Sequence, residues 1–200
     1  MSEIRSICVF CGSANGNDPA FAEAARALGR ALAAAGIRLV YGGGSIGLMG
    51  TVAREVLAAG GTVLGVIPQF LVDREVMLPE VTELIVTQDM HQRKRIMFEQ
   101  ADAFVALPGG IGTLEEVVEQ MTWVQLGQHA KPIVLVDIAG FWAPLAGLLQ
   151  HMTATGFIRP GFEVSYAVAA SIADVLPAVR ATADAARPAA AALPVGLDKL

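Results

Sequence analysis

Short apolar segments rich in valine, isoleucine and leucine alternate along this chain with longer segments in which apolar residues recur every three or four positions. The short segments are apolar throughout, which is typical of strands covered on both faces of a parallel sheet. They predict strands at Ser6–Cys11, Ile37–Tyr41, Thr62–Ile67, Leu84–Thr87, Ala103–Leu107 and Ile133–Asp137.

Two of the longer segments carry a helical stripe followed by a glycine, the residue that commonly ends a helix. The stripes are Phe21, Ala25, Leu28 and Leu32 before Gly36, and Val117, Met121 and Val124 before Gly127. Repeated alternation of strand and helix indicates an α/β fold. We predict a doubly wound parallel sheet of Rossmann-like type in a single domain.

Composition places that domain at residues 1–180, because 200 residues with 54% hydrophobic content suit one domain with a sizeable core. Residues 181–200 are rich in alanine and proline. Pro188 and Pro194 would interrupt a helix there, so we expect this tail to be disordered.

Charge and hydropathy narrow the classes of partner. A net charge of −5 without any basic run argues against nucleic acid. No uninterrupted apolar run reaches the roughly 18 residues of a membrane span, and the first residues lack the apolar core of a signal peptide. We therefore expect no membrane partner and a cytoplasmic protein.

A glycine-rich turn, Leu107-Pro-Gly-Gly-Ile-Gly-Thr-Leu-Glu-Glu116, joins a predicted strand directly to a helical pattern. We expect its three glycines to adopt positive φ and to let the backbone approach a ligand closely. The free N–H groups of the helix predicted from Thr113, together with the helix dipole, would face a bound anion. The turn predicts a phosphate site formed by Gly109, Gly110, Ile111, Gly112 and Thr113.

Glu116 lies one turn further along, where a carboxylate would not help to hold a phosphate. Its position suggests catalysis on the group that the phosphate carries. Thr113-x-x-Glu116 also spells a capping box, in which the two side chains bond the first N–H groups of a helix. The tetrapeptide alone leaves both interpretations open.

Other polar or glycine-rich segments also follow predicted strands, at Gly12-Ser13, Gly42–Gly44 and Gln88-Asp89. Ligands of doubly wound sheets bind beyond the carboxyl ends of the strands. These segments are therefore expected to meet the glycine-rich turn at one rim of the sheet. We predict that Gly12, Ser13, Gly43 and Gly44 line the same site.

Gly42-x-Gly44-x-x-Gly47 also fits the fingerprint of dinucleotide-binding proteins, so an NAD-dependent oxidoreductase is an alternative. That fingerprint needs an acid near the end of the next strand to hold the ribose hydroxyls. The strand instead ends Val66-Ile67-Pro68-Gln69. We favour a mononucleotide, with plain tight-turn structure as the other explanation of these glycines.

Cysteine and histidine residues do not form a recognisable metal site. Cys8 and Cys11 are three apart in a predicted strand, so their side chains point to opposite faces and are expected to pack in the core. His91, His129 and His151 stand apart from one another. We expect neither a metal nor another cofactor.

A second constellation, Asp89-Met-His-Gln-Arg-Lys-Arg95, lies upstream of the turn. The pairing of Arg93-Lys94 with Pro108–Glu116 resembles the signature of the LOG ("Lonely guy") family of cytokinin riboside 5′-monophosphate phosphoribohydrolases. The resemblance spans about residues 5–180. Further segments similar to the family's landmarks are Phe10–Ser13, Tyr41–Gly44, Gly47–Gly50, Thr122-Trp123 and Lys131-Pro132.

This resemblance implies hydrolysis of the N-glycosidic bond of a purine nucleoside 5′-monophosphate, cytokinin-type or adenosine, by a homodimer. It implies that Arg93 and Glu116 are catalytic and that Lys94 and Glu75 contact the substrate. Glu75 could equally be a solvated loop acid, and Met90 either lines the base pocket or simply packs.

Two further points bear on this activity. Members of the family were long labelled lysine decarboxylases, but none of Lys94, Lys131 and Lys199 lies in a recognisable pyridoxal phosphate context. A non-catalytic nucleotide sensor is the remaining alternative, because it would keep the phosphate site without needing Glu116 or Arg93.

Overall fold

A parallel seven-stranded sheet forms the centre of the molecule in the computed structural model, which describes residues 4–72 and 77–190. The predicted doubly wound α/β fold is confirmed, and all six predicted strands are present with ends within two residues of those expected. The strands are β1 (Ser6–Phe10), β2 (Arg38–Tyr41), β3 (Val63–Pro68), β4 (Glu83–Thr87), β5 (Ala103–Ala106), β6 (Ile133–Val136) and β7 (Ala167–Ala169).

Strand β7 was not predicted. It has only three residues, pairs with β6 at one edge of the sheet and is incompletely buried, so it lacks the continuous apolar pattern of the others. The sheet order is β4-β3-β2-β1-β5-β6-β7. Strand order reverses beside β1, and ligands of such sheets bind at the carboxyl ends of the strands next to that reversal.

Helices cover both faces of the sheet. Buried residues of α1, α2 and α6 share one core cluster with the sheet, and those of α3 and α4 share the other, against which Leu145 and Leu149 of α5 also pack. Within the described residues, the helices are α1 (Pro19–Ala34), α2 (Gly47–Ala58), α3 (Met90–Glu99), α4 (Ile111–Gln125), α5 (Ala143–Ala154) and α6 (Ile172–Ala190). None of them is long and apolar enough to cross a membrane.

The first helical stripe forms α1 as predicted. Asp18 caps this helix, since its carboxylate accepts a hydrogen bond from the Ala20 N–H at 2.8 Å, and Pro19 occupies the first helical position. Leu28 and Leu32 are fully buried against the sheet and α2. The helix ends at Ala34, Ala35 is its C-cap residue, and Gly36 follows with φ 67°.

Helix α6 corrects the predicted boundary of the disordered tail. The helix continues to Ala190, so residues 181–190 are helical and only residues 191–200 lie outside the described part of the chain. Alanine, the strongest helix former, dominates the segment. Val175 and Val179 anchor the helix in the core, while Pro188 comes close to its end.

Gly47, at the start of α2, provides a test of the close packing at the carboxyl rim of the sheet. Its φ is 60°, and a Cβ atom there would lie 2.3 Å from the backbone carbonyl carbon of Ser13. Gly36 has a similar φ of 67° but open space around it, so it serves as the matched control.

Gly36→Ala should lower the free energy of unfolding by about 1–2 kcal/mol, the strain of a left-handed residue. Gly47→Ala should lower it by about 3 kcal/mol or more, because overpacking against the Ser13 backbone adds to the same strain. Thermal unfolding checks the difference, because each kcal/mol should lower the melting temperature by about 2–4 °C. Equal losses in the two variants would show that the close approach costs nothing.

Candidate functional site

The glycine-rich turn after β5 leads into α4 earlier than predicted. The helix begins at Ile111, with Gly110 as its N-cap residue and no side chain capping it. Leu114 makes the first helical hydrogen bond, to the Gly110 carbonyl at 3.1 Å. The N–H groups of Ile111, Gly112 and Thr113 therefore have no acceptor within the helix.

This helix start excludes the capping box as an explanation of Glu116. Thr113 is the third residue of the helix rather than its cap, and its side chain is buried. Glu116 consequently lies in the second turn, beyond the positions where a capping box would use it. Glu116 is half-buried there.

The glycines of this turn are required for a different reason from the one predicted. The expected positive φ is wrong for Gly109, Gly110 and Gly112, since none of them adopts it. A Cβ on Gly109 would lie 2.2 Å from Thr113 Oγ1 and 2.8 Å from the Gly12 nitrogen, so this glycine is required by close packing. A Cβ on Gly110 or Gly112 would meet open space, so both border the mouth of the turn.

Gly12 joins this turn to the neighbouring ones. Its N–H donates to the Pro108 carbonyl at 3.1 Å, and its carbonyl accepts from the N–H groups of Leu48 at 3.0 Å and Met49 at 3.3 Å. The start of α2 is thus occupied by a protein carbonyl. A pyrophosphate cannot bind that helix end in the manner of dinucleotide-binding proteins, which removes the basis of the NAD alternative.

Ser13 is exposed beside Gly12 at the rim, whereas Gly43 and Gly44 are buried. The Gly43 carbonyl accepts from the Leu78 N–H at 3.0 Å, and Gly44 forms a bridge with Met77. These contacts give both glycines a packing role. The predicted site residue Glu75 lies outside the described residues.

Arg93 is a buried cation at this rim, with only 5% of its surface exposed. Its Nη2 donates to the Gly42 carbonyl at 3.3 Å, and its Nη1 contacts Met90 Sδ at 3.7 Å. Its Nε has no hydrogen-bond partner within the described residues. A Cβ on Gly42 would lie 2.1 Å from Nη2, so glycine at this position makes room for the guanidinium.

The start of α3 fixes the position of Arg93. The Asp89 carboxylate accepts from the Gln92 N–H at 2.8 Å, and the Gln92 side chain accepts from the Gln88 N–H at 2.8 Å. These reciprocal bonds hold the first turn of α3 against the end of β4. Among residues 4–72 and 77–190, no carboxylate forms an ion pair with Arg93.

Glu116 and Arg93 both act electrostatically on Cys8, in the middle of β1. Burial raises the pKa of Cys8 well above its ordinary value; the charge of Glu116 raises it further, while that of Arg93 lowers it. Burial and Glu116 also raise the pKa of Cys11. The two thiols lie in opposite core clusters and remain neutral, which confirms the predicted packing role.

Lys94 bridges α3 and α4. Its ammonium group donates to Glu115 and, at 3.3 Å, to Glu119 Oε1. Burial lowers the pKa of Lys94, but the hydrogen bond to Glu115 and the charges of both carboxylates outweigh it and raise that pKa. Sequence analysis did not identify these partners, although the four-residue spacing of Glu115 and Glu119 places them on one helix face.

The structure therefore brings Gly12, Gly109 and Thr113 into contact and sets Arg93 against Gly42 and Met90. Within the described part of the chain, no group of three His, Cys, Asp or Glu side chains could hold a metal ion.

Comparisons with known proteins identify relatives that match most of the chain. A family model described as "Possible lysine decarboxylase" matches residues 49–179. The probable cytokinin riboside 5′-monophosphate phosphoribohydrolase LOGL1 of Oryza sativa subsp. japonica is 52% identical over 153 residues, covering 76% of this chain and 69% of that protein. LOG7 of Arabidopsis thaliana, named as the same enzyme, is 50% identical over 159 residues, 80% of this chain and 73% of that one.

A bacterial relative covers more of both chains. The cytokinin riboside 5′-monophosphate phosphoribohydrolase of Rhodococcoides fascians is 45% identical over 177 residues, 88% of this chain and 89% of that protein. These relatives are named for the phosphoribohydrolase activity rather than for a decarboxylase.

Solved structures support the fold. A molybdenum cofactor carrier protein from Chlamydomonas reinhardtii has a TM-score of 0.66 at 24% identity, over 92% of this chain and 99% of that one. The molybdenum cofactor binding protein of Rippkaea orientalis has a TM-score of 0.65 at 21% identity, over 90% and 98%.

Identities of 45–52% over more than two thirds of each chain are far above what a shared fold requires. The matched residues include both central motifs, Arg93-Lys94 and Pro108–Glu116. The chain belongs to the LOG family of cytokinin riboside 5′-monophosphate phosphoribohydrolases.

Proposed function

We propose that the protein hydrolyses the N-glycosidic bond of a purine nucleoside 5′-monophosphate and releases the free base and ribose 5-phosphate. The relatives described above carry the name of this activity. The observation that carries the proposal is the burial of the Arg93 guanidinium at the carboxyl rim of the sheet, where α4 also begins. No carboxylate among the described residues pairs with it. A buried cation of this kind favours an anionic ligand.

The phosphate of the substrate binds the start of α4. The N–H groups of Ile111, Gly112 and Thr113 supply donors, and the helix dipole favours negative charge there. Open space beside Gly110 and Gly112 supports this role, since a ligand can reach the backbone without meeting a side chain. Gly12 and Ser13 are proposed to border the same space, since the hydrogen bond from Gly12 to Pro108 joins their turn to this one.

Glu116 acts on the ribose. It lies three residues, or roughly 4.5 Å along the helix axis, beyond Thr113, which is proposed to bind the phosphate. Departure of the base builds positive charge on the ribose, and an ionised carboxylate beside it stabilises that oxocarbenium-like state. The same carboxylate can orient the attacking water molecule.

Arg93 positions the nucleotide and assists the leaving base as it gains negative charge or a proton from solvent. Its contact with Met90 supports a base pocket at the start of α3, with Met90 in its wall. The remaining predicted substrate contacts are those of Lys94, Glu75, Gly43 and Gly44.

We also propose a homodimer, as the family resemblance implies, and a cytoplasmic location. Exposed apolar side chains support the dimer, since Ile111 is 83% and Phe157 87% exposed in the single chain. Isolated exposed apolar residues are ordinary, but large ones at helix α4 and beside α5 suit an interface.

A first experiment compares nucleotide with nucleoside. AMP should be cleaved with a kcat/KM at least about 10²-fold higher than adenosine, because the phosphate supplies binding energy and orients the ribose against Glu116. Chromatography of the released base checks this, with isopentenyladenosine monophosphate, GMP and CMP included to define base preference. Equal rates on AMP and adenosine would contradict the proposed phosphate site at the start of α4.

A second experiment tests Glu116. Glu116→Gln should lower kcat by about 10²–10³-fold, because the amide keeps the shape of the side chain but loses the charge that faces the oxocarbenium ion. AMP binding and melting temperature should stay near those of the wild type. Glu115→Gln, at the exposed neighbouring position, is the matched control and should remain active.

Arg93→Ala in the same series should lose turnover and bind AMP more weakly. Full activity of Glu116→Gln would contradict the mechanism. A wild-type protein that binds AMP but releases no base would instead establish the nucleotide sensor.

Light scattering tests the assembly. The homodimer predicts twice the chain mass of 20.8 kDa at micromolar concentration. Phe157→Ser changes one of the most exposed apolar side chains and should shift the mass toward the monomer if that residue is in the interface. A wild-type mass of one chain at all concentrations would contradict the dimer.

A further inference from the structure

A small cavity lies between α3 and α4, beside the proposed catalytic carboxylate. Its volume is about 10 Å³, which is close to the space that one water molecule needs. Three apolar side chains form part of its wall. The polar residues that line it are Lys94, Glu116, Glu119 and Gln120.

Two acceptor atoms of the residues that line this cavity are buried without a hydrogen-bond partner in the described part of the chain. They are Oε2 of Glu119 and Oε1 of Gln120. Gln120 is only 2% exposed, so bulk water does not reach its side chain. An unsatisfied buried acceptor is unfavourable, so two of them beside one cavity are a reason to expect a bound donor.

A water molecule matches these groups. It has two O–H donors for the two acceptors and can itself accept one hydrogen bond. The ammonium group of Lys94 has three N–H donors, and its contacts within the described residues use two of them, for Glu115 and Glu119 Oε1. The third is available to the water molecule.

We infer that one buried water molecule joins Lys94, Glu119 and Gln120 into a network that positions Glu116. Glu119 and Gln120 are three and four residues after Glu116, so all three side chains share one face of α4. Glu119 and Gln120 are therefore positioning residues that act through Glu116, and Lys94 acts on Glu116 in addition to the substrate contact proposed for it above. The inference rests on the proposed catalytic function of Glu116.

Among the described residues, the charges nearest Glu116 determine what the network does. Lys94 of α3 and Glu119 of α4 line the cavity together with Glu116, and Arg93 of α3 acts with Glu116 on Cys8. Cys8 of β1 and Cys11, which follows β1, stay neutral because burial raises the pKa of both.

Lys94 therefore favours the ionised form of Glu116, and Glu119 opposes it. The two substitutions that remove these charges should therefore move the pKa of Glu116 in opposite directions. A general loss of structure would not produce opposite shifts.

The test measures kcat for AMP as a function of pH in the full-length protein. Lys94→Met should move the acid limb of the profile to higher pH and Glu119→Gln should move it to lower pH, each by about one unit. Glu115→Gln is the matched control, because Glu115 also pairs with Lys94 but is 53% exposed and does not line the cavity. It should shift the limb by less than about 0.3 units.

Gln120→Met tests the water molecule itself. Methionine has a similar volume but no carbonyl acceptor, so the variant should keep its melting temperature and KM while kcat falls by about tenfold through misplacement of Glu116. A high-resolution crystal structure should show one water molecule in the wild-type cavity and none in the variant.

Three results would overturn the inference alone. The first is a wild-type cavity without a water molecule, and the second is a wild-type kcat in Gln120→Met. The third is an acid limb that does not move in Lys94→Met and Glu119→Gln, or that moves in the same direction in both. A wild-type protein that releases no base overturns the proposed function and this inference with it. The two failures are thus distinguishable.

Discussion

The hydrogen bond from the Gly12 N–H to the Pro108 carbonyl holds the rim of the sheet together. It extends the pairing of β1 with β5 past the ends of both strands, at the place where the strand order reverses. The bond requires the two turns to approach so closely that neither Gly12 nor Gly109 can carry a side chain without displacing backbone or Thr113. The position of α4, and with it that of Glu116, follows from this contact.

The buried guanidinium of Arg93 is a costly element of the site. Burial of a charge is unfavourable, and a cation near the start of a helix also meets the positive end of the dipole. Among the described residues, the Gly42 carbonyl and the capped first turn of α3 offset part of this cost. Features that are unfavourable for folding commonly occur where a residue serves binding or catalysis.

Much of the fold could be predicted from the sequence because its signals are local. Continuous apolar segments identified β1 to β6, and helical stripes identified α1 and α4. Strand β7 was not predicted, because three edge residues of differing burial are too few to show a period. The end of α6 was misjudged because proline was given more weight than the surrounding alanines.

The site was predicted less completely, because its geometry depends on contacts between distant segments. The motif Pro108–Glu116 identified the turn, but sequence alone could not separate positive φ from close packing at Gly109. It could not separate a cap from a second-turn carboxylate either, since moving the N-cap residue of α4 from Thr113 to Gly110 decides between them. The partners of Lys94 lie 21 and 25 residues away and needed the packing of α3 on α4.

The amino ends of α2 and α4 lie at the same rim of the sheet but differ in what meets them. The carbonyl of Gly12 accepts hydrogen bonds from the first turn of α2, whereas the first N–H groups of α4 have no acceptor within the helix. Of these two helix ends, only that of α4 can therefore offer its first N–H groups to negative charge. A ligand with a chain of two or three phosphates would not find a second open helix end at α2 for its outer phosphates, which suits the start of α4 to a monophosphate.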